Sequence, residues 1–208
     1  MDDKDYGMNS INLGTGVTTY CETGRDFKVA SIAAEIAASE ITAVIVTTNS
    51  HIIVRTVYTA GHNERSGSKQ TTTQPPRPRW KCPDLGGFNT KVIIVSGKIV
   101  LTHRRQNSIL CYDKTGKTIF RKELPEGFHP RGMAKYGDTG IIISGDSSIA
   151  RFTFPDFEPV WQTELEGAAG VCVDDQGLIY VGVWRKKAII ILTSSGELYF
   201  ISKFPLSC

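Results

Sequence analysis

Short apolar runs alternate with polar breaks through the C-terminal half of the chain, and this alternation repeats. Three segments, which begin at Lys91, Gly132 and Gly170, can be laid over one another, and each contains four apolar runs of strand length. The runs are rich in Ile, Val and aromatic residues, which favour pleated strands. Four antiparallel strands at a period of about 40 residues are typical of a propeller blade. The pattern therefore predicts an all-β fold, a β-propeller with three blades in residues 91–204.

The breaks between the runs carry turn residues at matching places in the three segments. The inner turn falls at Gly97, Gly140 and Gly177, and the outer turn falls at Gly116, Phe157 and Gly196. An Asp two residues before Gly140 and Gly177 is typical of tight turns, so we expect both glycines to adopt a positive φ. An ordinary antiparallel meander with chance spacing is the alternative that the pattern leaves open.

The third segment resembles an NHL repeat. It reads Gly170-Val-Cys-Val-Asp-Asp-Gln-Gly-Leu-Ile-Tyr-Val-Gly, and His129-Pro-Arg-Gly-Met-Ala matches the opening of the same motif in the second segment. The sequence departs from the family at Gly145-Asp-Ser-Ser and Gly182-Val-Trp-Arg-Lys-Lys, where the family has a closing Asp and then Asn-His-Arg. The resemblance covers about residues 91–204 and implies blades similar to those in the C-terminal propeller of TRIM-NHL proteins.

The number of blades is not fixed by the pattern. NHL propellers usually have six blades, which at this period need about 240 residues, whereas the chain has 208. The chain is therefore a divergent small propeller, a fragment, or an open array that needs a partner. Blades in an open or incomplete ring expose sheet edges, so we also expect self-association through those edges.

The N-terminal half is less regular. Residues 1–60 predict a degenerate blade or strand-rich region, because Ile41–Val46 and Ile52–Tyr58 are β-branched. The Ala-rich stretch Phe27–Ser39 has apolar residues at helical spacing, so a short helix is the alternative there. Residues 61–90 are polar and contain several prolines, which predicts a loop or linker.

Composition and charge narrow the function classes only slightly. The net charge of +3 is too small to indicate a nucleic-acid or membrane partner by itself, and no run of 18 apolar residues is present to span a bilayer. The acidic and polar start, Met1–Asp5, is unlike a signal peptide. The five cysteines are odd in number and widely spaced, which fits reduced thiols better than a disulfide framework. We therefore expect a cytoplasmic protein, and we expect no membrane partner.

The sequence carries no recognisable catalytic or metal-binding motif. The four histidines lack the spacing of a metal site, and no GxSxG motif, P-loop or dinucleotide-binding motif appears. Enzymatic propellers typically place His, Asp or Glu on their inner strands, and the predicted inner strands are apolar. We therefore predict a protein that is not an enzyme and binds no cofactor or metal. A lyase- or lactonase-like propeller is the alternative.

Basic residues cluster in the predicted loops at one end of the blades. The candidate partner-binding residues are Arg104, Arg105, Arg131, Trp184, Arg185, Lys186 and Lys187. A basic face with a Trp suits an acidic protein segment, and it also suits the phosphates and bases of RNA. We predict an interaction module that binds a protein partner through this face, with RNA as the alternative partner and solvated loop tips as the third interpretation. The RING and B-box cysteine clusters of TRIM proteins are absent from the sequence, so no ligase activity is expected.

Overall fold

The computed structural model describes residues 91–203 without a gap and, before them, six strands. Those strands are β1 (Gly7–Ile11), β2 (Thr18–Glu22), β3 (Val29–Ala37), β4 (Glu40–Thr47), β5 (His51–Tyr58) and β6 (Trp80–Lys81). The continuous part contains β7 (Val92–Val95), β8 (Lys98–His103), β9 (Ser108–Tyr112), β10 (Thr118–Glu123), β11 (Gly132–Tyr136), β12 (Gly140–Ser144), β13 (Ser148–Thr153), β14 (Pro159–Glu164), β15 (Ala168–Val173), β16 (Ile179–Val183), β17 (Ala188–Leu192) and β18 (Leu198–Lys203). A single 3-10 turn, Trp184–Lys186, joins β16 to β17, and no α-helix occurs among the residues described.

These strands form four antiparallel four-stranded sheets in consecutive order, together with the separate hairpin β1–β2. We call the sheets blade 1 (β3–β6), blade 2 (β7–β10), blade 3 (β11–β14) and blade 4 (β15–β18). The first strands of successive blades lie beside one another, β3 next to β7, β7 next to β11, and β11 next to β15, so they are the inner strands. The predicted all-β propeller is confirmed, and the three repeats seen in the sequence are blades 2, 3 and 4.

Blade 1 has strands β4 and β5 at the two β-branched runs of the N-terminal half, and it corrects one alternative. The short helix considered for Phe27–Ser39 is wrong over Val29–Ala37, which is strand β3 and pairs antiparallel with β4. The physical reason is tertiary: β4 and β5 offer a long β-branched sheet, and pairing with it outweighs a weak local helical period. Most of the polar segment 61–90 lies outside the described residues, but Trp80–Lys81 within it pairs with β5.

Each middle blade buries both of its faces because successive side chains along a strand point to opposite sides. In β8, Ile99 packs toward blade 1, whereas Val100 packs toward blade 3. In β12, Ile141 packs toward blade 2, whereas Ile142 packs toward blade 4, and all four side chains are fully buried. This double burial explains why these strands read as continuous apolar runs in the sequence.

The outer turns match the sequence prediction in all three blades. Gly116 and Gly196 have φ values of 93° and 83°, and Phe157, at the equivalent place in blade 3, has the unusual value of 57° for a residue with a side chain. The inner turn of blade 3 differs from the prediction. Gly140 does not adopt a positive φ but begins β12, and Gly137 takes the left-handed conformation with φ of 59°. Gly140 is needed for space, since a Cβ there would lie 2.8 Å from the carbonyl oxygen of Tyr136.

Candidate binding site on the loop face

The loops between the second and third strands of blades 2, 3 and 4 carry three equivalent residues. The strand registers align Thr102, Ser144 and Gly182, which pair with Ile109, Ile149 and Ile189 at the same position of the three blades. Two residues further along the chain stand Arg104 in blade 2, Asp146 in blade 3 and Trp184 in blade 4. These loops meet the connections between blades, since the amide of Asp146 donates to the carbonyl of Phe128, 2.8 Å away. We call this end of the molecule the loop face.

At the boundary between blades 2 and 3, the loop residues are joined by ion pairs. Arg104 Nη2 donates to both carboxylate oxygens of Asp146, at 3.2 Å and 3.0 Å. Arg131, which lies directly before β11, donates from Nε to Asp146 Oδ1. Partial burial raises the pKa of the Asp146 carboxyl, but the hydrogen bonds and charges of Arg131 and Arg104 outweigh burial and hold that pKa below its usual value. Asp146 is therefore ionised at neutral pH and bridges two arginines.

At the boundary between blades 3 and 4, the equivalent loop tips stand apart and leave a cleft. Its volume is about 200 Å³, and it is lined by Arg131, Asp146, Ser147, Glu166, Gly167, Trp184 and Arg185. Arg185 forms an ion pair with Glu166, and its guanidinium carbon lies 5.3 Å from the centroid of the Trp184 ring. The Trp184 side chain is 57% exposed at the rim. An open cleft thus occupies the place where an ion pair closes the preceding boundary.

Backbone hydrogen bonds fix the walls of the cleft. The amides of Leu165 and Gly167 donate to the carbonyls of Ser147 and Asp146, each at 2.9 Å, which ties the connection before β15 to the blade 3 loop. On the opposite wall, the amide of Lys187 donates to the carbonyl of Trp184 at 3.2 Å, and Lys187 closes the 3-10 turn in a left-handed conformation with φ of 46°. Trp184 and Arg185 therefore project from a short, hydrogen-bonded turn.

The structure brings together some of the seven residues predicted for partner binding. Arg131, Trp184 and Arg185 line the cleft, and Arg104 reaches its edge through Asp146. Arg105, Lys186 and Lys187 are exposed on the loop face and do not line the cleft.

Glu166 is the charged residue of the cleft that sequence reasoning missed. It precedes β15 much as His129-Pro-Arg precedes β11. Arg131 and Arg185 are balanced by Asp146 and Glu166, so the lining has no net charge. Such a lining exposes indole and guanidinium surfaces and therefore suits a ligand with both polar and apolar groups, such as a peptide. It suits a uniform polyanion less well.

Two further observations concern the residues that the structure describes. Among them, no group of three or more His, Cys, Asp or Glu side chains is arranged so that it could hold a metal ion. No helix in the same residues has the length and apolar character needed to cross a membrane.

Comparisons with known proteins agree with the propeller architecture. The family model described as "Outer membrane protein assembly factor BamB" matches residues 60–203. Among solved structures, virginiamycin B lyase from Staphylococcus aureus superposes with a TM-score of 0.64 at 19% identity, covering 99% of this chain and 65% of that one. A streptogramin B lyase superposes with a TM-score of 0.63 at 15% identity, covering 86% of this chain and 55% of that one.

A third superposition involves a protein that is not described as an enzyme. A chain of a nidogen/laminin complex matches with a TM-score of 0.63 at 15% identity, covering 98% of this chain and 74% of that one. At these identities the superpositions show the fold alone. The chain spans 55–65% of the length of the lyase structures it matches. No curated protein sequence matches the chain.

Proposed function

This chain belongs to the PQQ_2 family, described as "Outer membrane protein assembly factor BamB", and we propose that it is a non-enzymatic interaction module that binds a segment of a protein partner in the cleft between blades 3 and 4. The observation that carries the proposal is the pairing of an exposed Trp184 with Arg185 at the rim of a neutral cleft. Trp and Arg are the residue types that most often dominate the energy of protein interfaces. An assembly factor, as the family description has it, acts on other proteins, and this supports a protein ligand.

The charges of the cleft support binding rather than catalysis. Asp146 is held by two arginines and its carboxyl pKa is lowered, which leaves it poorly suited to give or take a proton near neutral pH. Glu166 is paired with Arg185. The NHL-like sequence of blades 2–4 supports the same role, because the TRIM-NHL propellers that it resembles form the partner-reading end of larger proteins.

The test is selection from a random peptide library on the purified chain, followed by anisotropy measurements with the enriched peptides. Trp184→Ala and Arg185→Ala should each weaken binding by about tenfold or more, because the first removes the rim aromatic and the second removes the guanidinium that lies over it. The matched control is Arg105→Ala/Lys187→Ala, which removes two exposed charges outside the cleft and should change affinity by less than about threefold. Failure to enrich any peptide, or equal losses in the control, would remove the proposal.

RNA is the second candidate, and the exposed residues Arg105, Lys186 and Lys187 beside Trp184 favour it. Base stacking on an indole with nearby cations is a common mode of single-strand binding. A single-stranded RNA pool, titrated across a salt series, separates the two candidates. RNA binding with a steep salt dependence that is reduced in the Arg105→Ala/Lys187→Ala variant would assign the loop face to RNA. Absence of RNA binding at low salt, together with peptide binding that is lost only in Trp184→Ala and Arg185→Ala, would assign it to peptide.

A further inference from the structure

The arginines that meet at the cleft outnumber the carboxylates that neutralise them. Arg104 Nη2 donates to both oxygens of Asp146, and Arg131 Nε donates to Oδ1 of the same carboxylate, so two guanidinium groups share one negative charge. Arg185 and Glu166 neutralise each other. Arg104 lies outside the lining but bonds Asp146 from the edge of the cleft. When it is counted, three cations face two anions, and the site has one positive charge in excess.

The cleft also contains hydrogen-bond donors that have no acceptor. Among the residues that the structure describes, the side chain of Arg131 donates only from Nε, and its two terminal nitrogens are unpaired but not buried. The exposed hydroxyl of Ser147, which lines the same cleft, has no partner in the described part of the chain either. Both oxygens of Asp146, in contrast, already accept hydrogen bonds. A ligand group that supplies acceptors therefore satisfies what the cleft leaves unpaired.

Charge and size together favour a single carboxylate as that group. A carboxylate carries one negative charge, which matches the excess, whereas a phosphate monoester carries about 1.5 to 2 at neutral pH. Its two oxygens accept two parallel hydrogen bonds from a guanidinium. Glu166, which is exposed beside Arg185, repels a second anionic group. The cleft of about 200 Å³ is smaller than the roughly 300–1,000 Å³ of pockets that enclose a whole small molecule, so it receives only a residue or two of a longer segment.

We propose that the peptide segment bound in this cleft presents one carboxylate to Arg131 and Ser147 and places a neighbouring apolar side chain against Trp184. The inference rests on the proposed function and narrows its ligand to a segment with one acidic group beside an apolar residue. The acidic group is an Asp or Glu side chain or the C-terminal carboxylate of the partner. It shares the guanidinium of Arg131 with Asp146, while the Trp184 ring, 57% exposed at the rim, supplies the apolar contact.

The test selects two random peptide libraries on the purified full chain at physiological salt, one with free C-termini and one with amidated C-termini. The enriched peptides should contain one carboxylate beside an apolar residue. Converting that carboxylate to its amide should weaken binding by about tenfold or more, measured by anisotropy, because the charged acceptor for Arg131 is lost. Enrichment from both libraries would assign the carboxylate to an Asp or Glu side chain, and enrichment from free C-termini alone would assign it to the terminus.

Substitutions identify the arginine that binds the carboxylate. Arg131→Gln should weaken the acidic peptide by about tenfold or more and leave its amide form within about twofold, and the unchanged amide affinity also shows that the variant is folded. Arg104→Gln removes the excess charge without contacting the ligand and should weaken only the acidic peptide, by about threefold. The matched control is Arg105→Gln, which removes the same charge from the adjacent, exposed residue outside the bridge and should change both affinities by less than about twofold.

The outcomes separate this inference from the proposed function. Peptides that depend on Trp184 but bind equally well as acid and as amide would overturn the role of the carboxylate and leave peptide binding in place. An amidation loss that is the same in Arg131→Gln as in the native chain would also overturn it, because the carboxylate would then bind elsewhere. So would a phosphoserine that binds at least tenfold more tightly than the acid it replaces. Failure to enrich any peptide would remove the proposed function and this inference together.

Discussion

At the loop face, an ion pair joins the boundary between blades 2 and 3, whereas a cleft lies at the boundary between blades 3 and 4. Phe157 lies at the centre of the first boundary, with the rings of Phe120, Phe152 and Phe154 at centroid distances of 5.2, 5.8 and 6.2 Å. Arg104 and Asp146 then join the loops above it. This boundary combines an aromatic cluster with a partly buried ion pair at the loop face.

The second boundary uses the same strand register with different side chains. Its core is mainly aliphatic, with Trp161 on the outermost strand of blade 3. Tyr136 lies on the inner strand β11, and its ring is 4.1 Å from the guanidinium carbon of Arg151. At its loop end the residue equivalent to Arg104 is Asp146, and that equivalent to Asp146 is Trp184. The repeated position thus carries an ion pair at the loop end of the first boundary and lines a cleft at the loop end of the second.

The largest effect that separates the boundaries should come from truncating their aromatic side chains. Phe157→Ala should lower the free energy of unfolding by about 3–5 kcal/mol, because the ring is fully buried and its removal leaves a cavity among three other rings. Trp161→Ala should cost less, about 1–3 kcal/mol, because Trp161 is only half-buried. Urea unfolding followed by circular dichroism measures both. Equal losses would contradict the view that the first boundary is the more tightly sealed.

A smaller effect should follow from adding one methyl group at the second boundary. Gly196→Ala should lower the free energy of unfolding by about 2 kcal/mol, because Gly196 has φ of 83° and a Cβ there would lie 2.6 Å from the Trp161 ring. Gly127→Ala is the matched control, with a similar φ of 74° and no atom within 4 Å of the added Cβ. Its cost should be about 1 kcal/mol, from the backbone alone. Thermal or urea unfolding that gave the same loss for both would exclude a steric role for Trp161.

The smallest expected effect concerns the ion pairs of the first boundary and depends on pH. Because the folded-state pKa of the Asp146 carboxyl is lowered, its stabilisation is present above the unfolded-state pKa of about 3.9 and is lost as pH falls through the lower folded-state value. Asp146→Asn should therefore destabilise the protein by about 1 kcal/mol or less near neutral pH, and the difference should vanish in strong acid. Urea unfolding at several pH values, with the exposed Asp156→Asn as control, measures it. A difference that grew toward low pH would show the opposite sign of shift.

Much of the fold could be predicted because it depends on local patterns. The four apolar runs per repeat become the four strands of blades 2–4, and even the outer turn at Phe157, which lacks a glycine, falls where the period places it. The prediction failed where neighbours outside the segment decide the outcome. Residues 29–37 have a weak helical period but pair with β4, and Gly140 is required by the closeness of Tyr136 rather than by its own dihedral angle.

The site was less predictable than the fold. The basic residues could be read from the loops, but their charge balance depends on pairs far apart in sequence, such as Arg104 with Asp146 and Arg185 with Glu166. The period of the repeat indicates that residues 104, 146 and 184 share one position, and it does not indicate which neighbours will touch. A predicted basic face therefore became, at its centre, a neutral cleft, with the remaining cations around it.

The two hydrogen-bonded arginines of Asp146 couple the cleft to the preceding boundary. Arg131 belongs at once to the lining of the cleft and to the bridge that includes Arg104 of blade 2. A ligand group that binds Arg131 competes with Asp146 for the same guanidinium. By thermodynamic reciprocity, the factor by which the Asp146 bridge lowers the affinity of such a ligand equals the factor by which the bound ligand weakens the bridge. Affinity in the cleft and stiffness between blades 2 and 3 are therefore linked quantities, adjustable through one carboxylate.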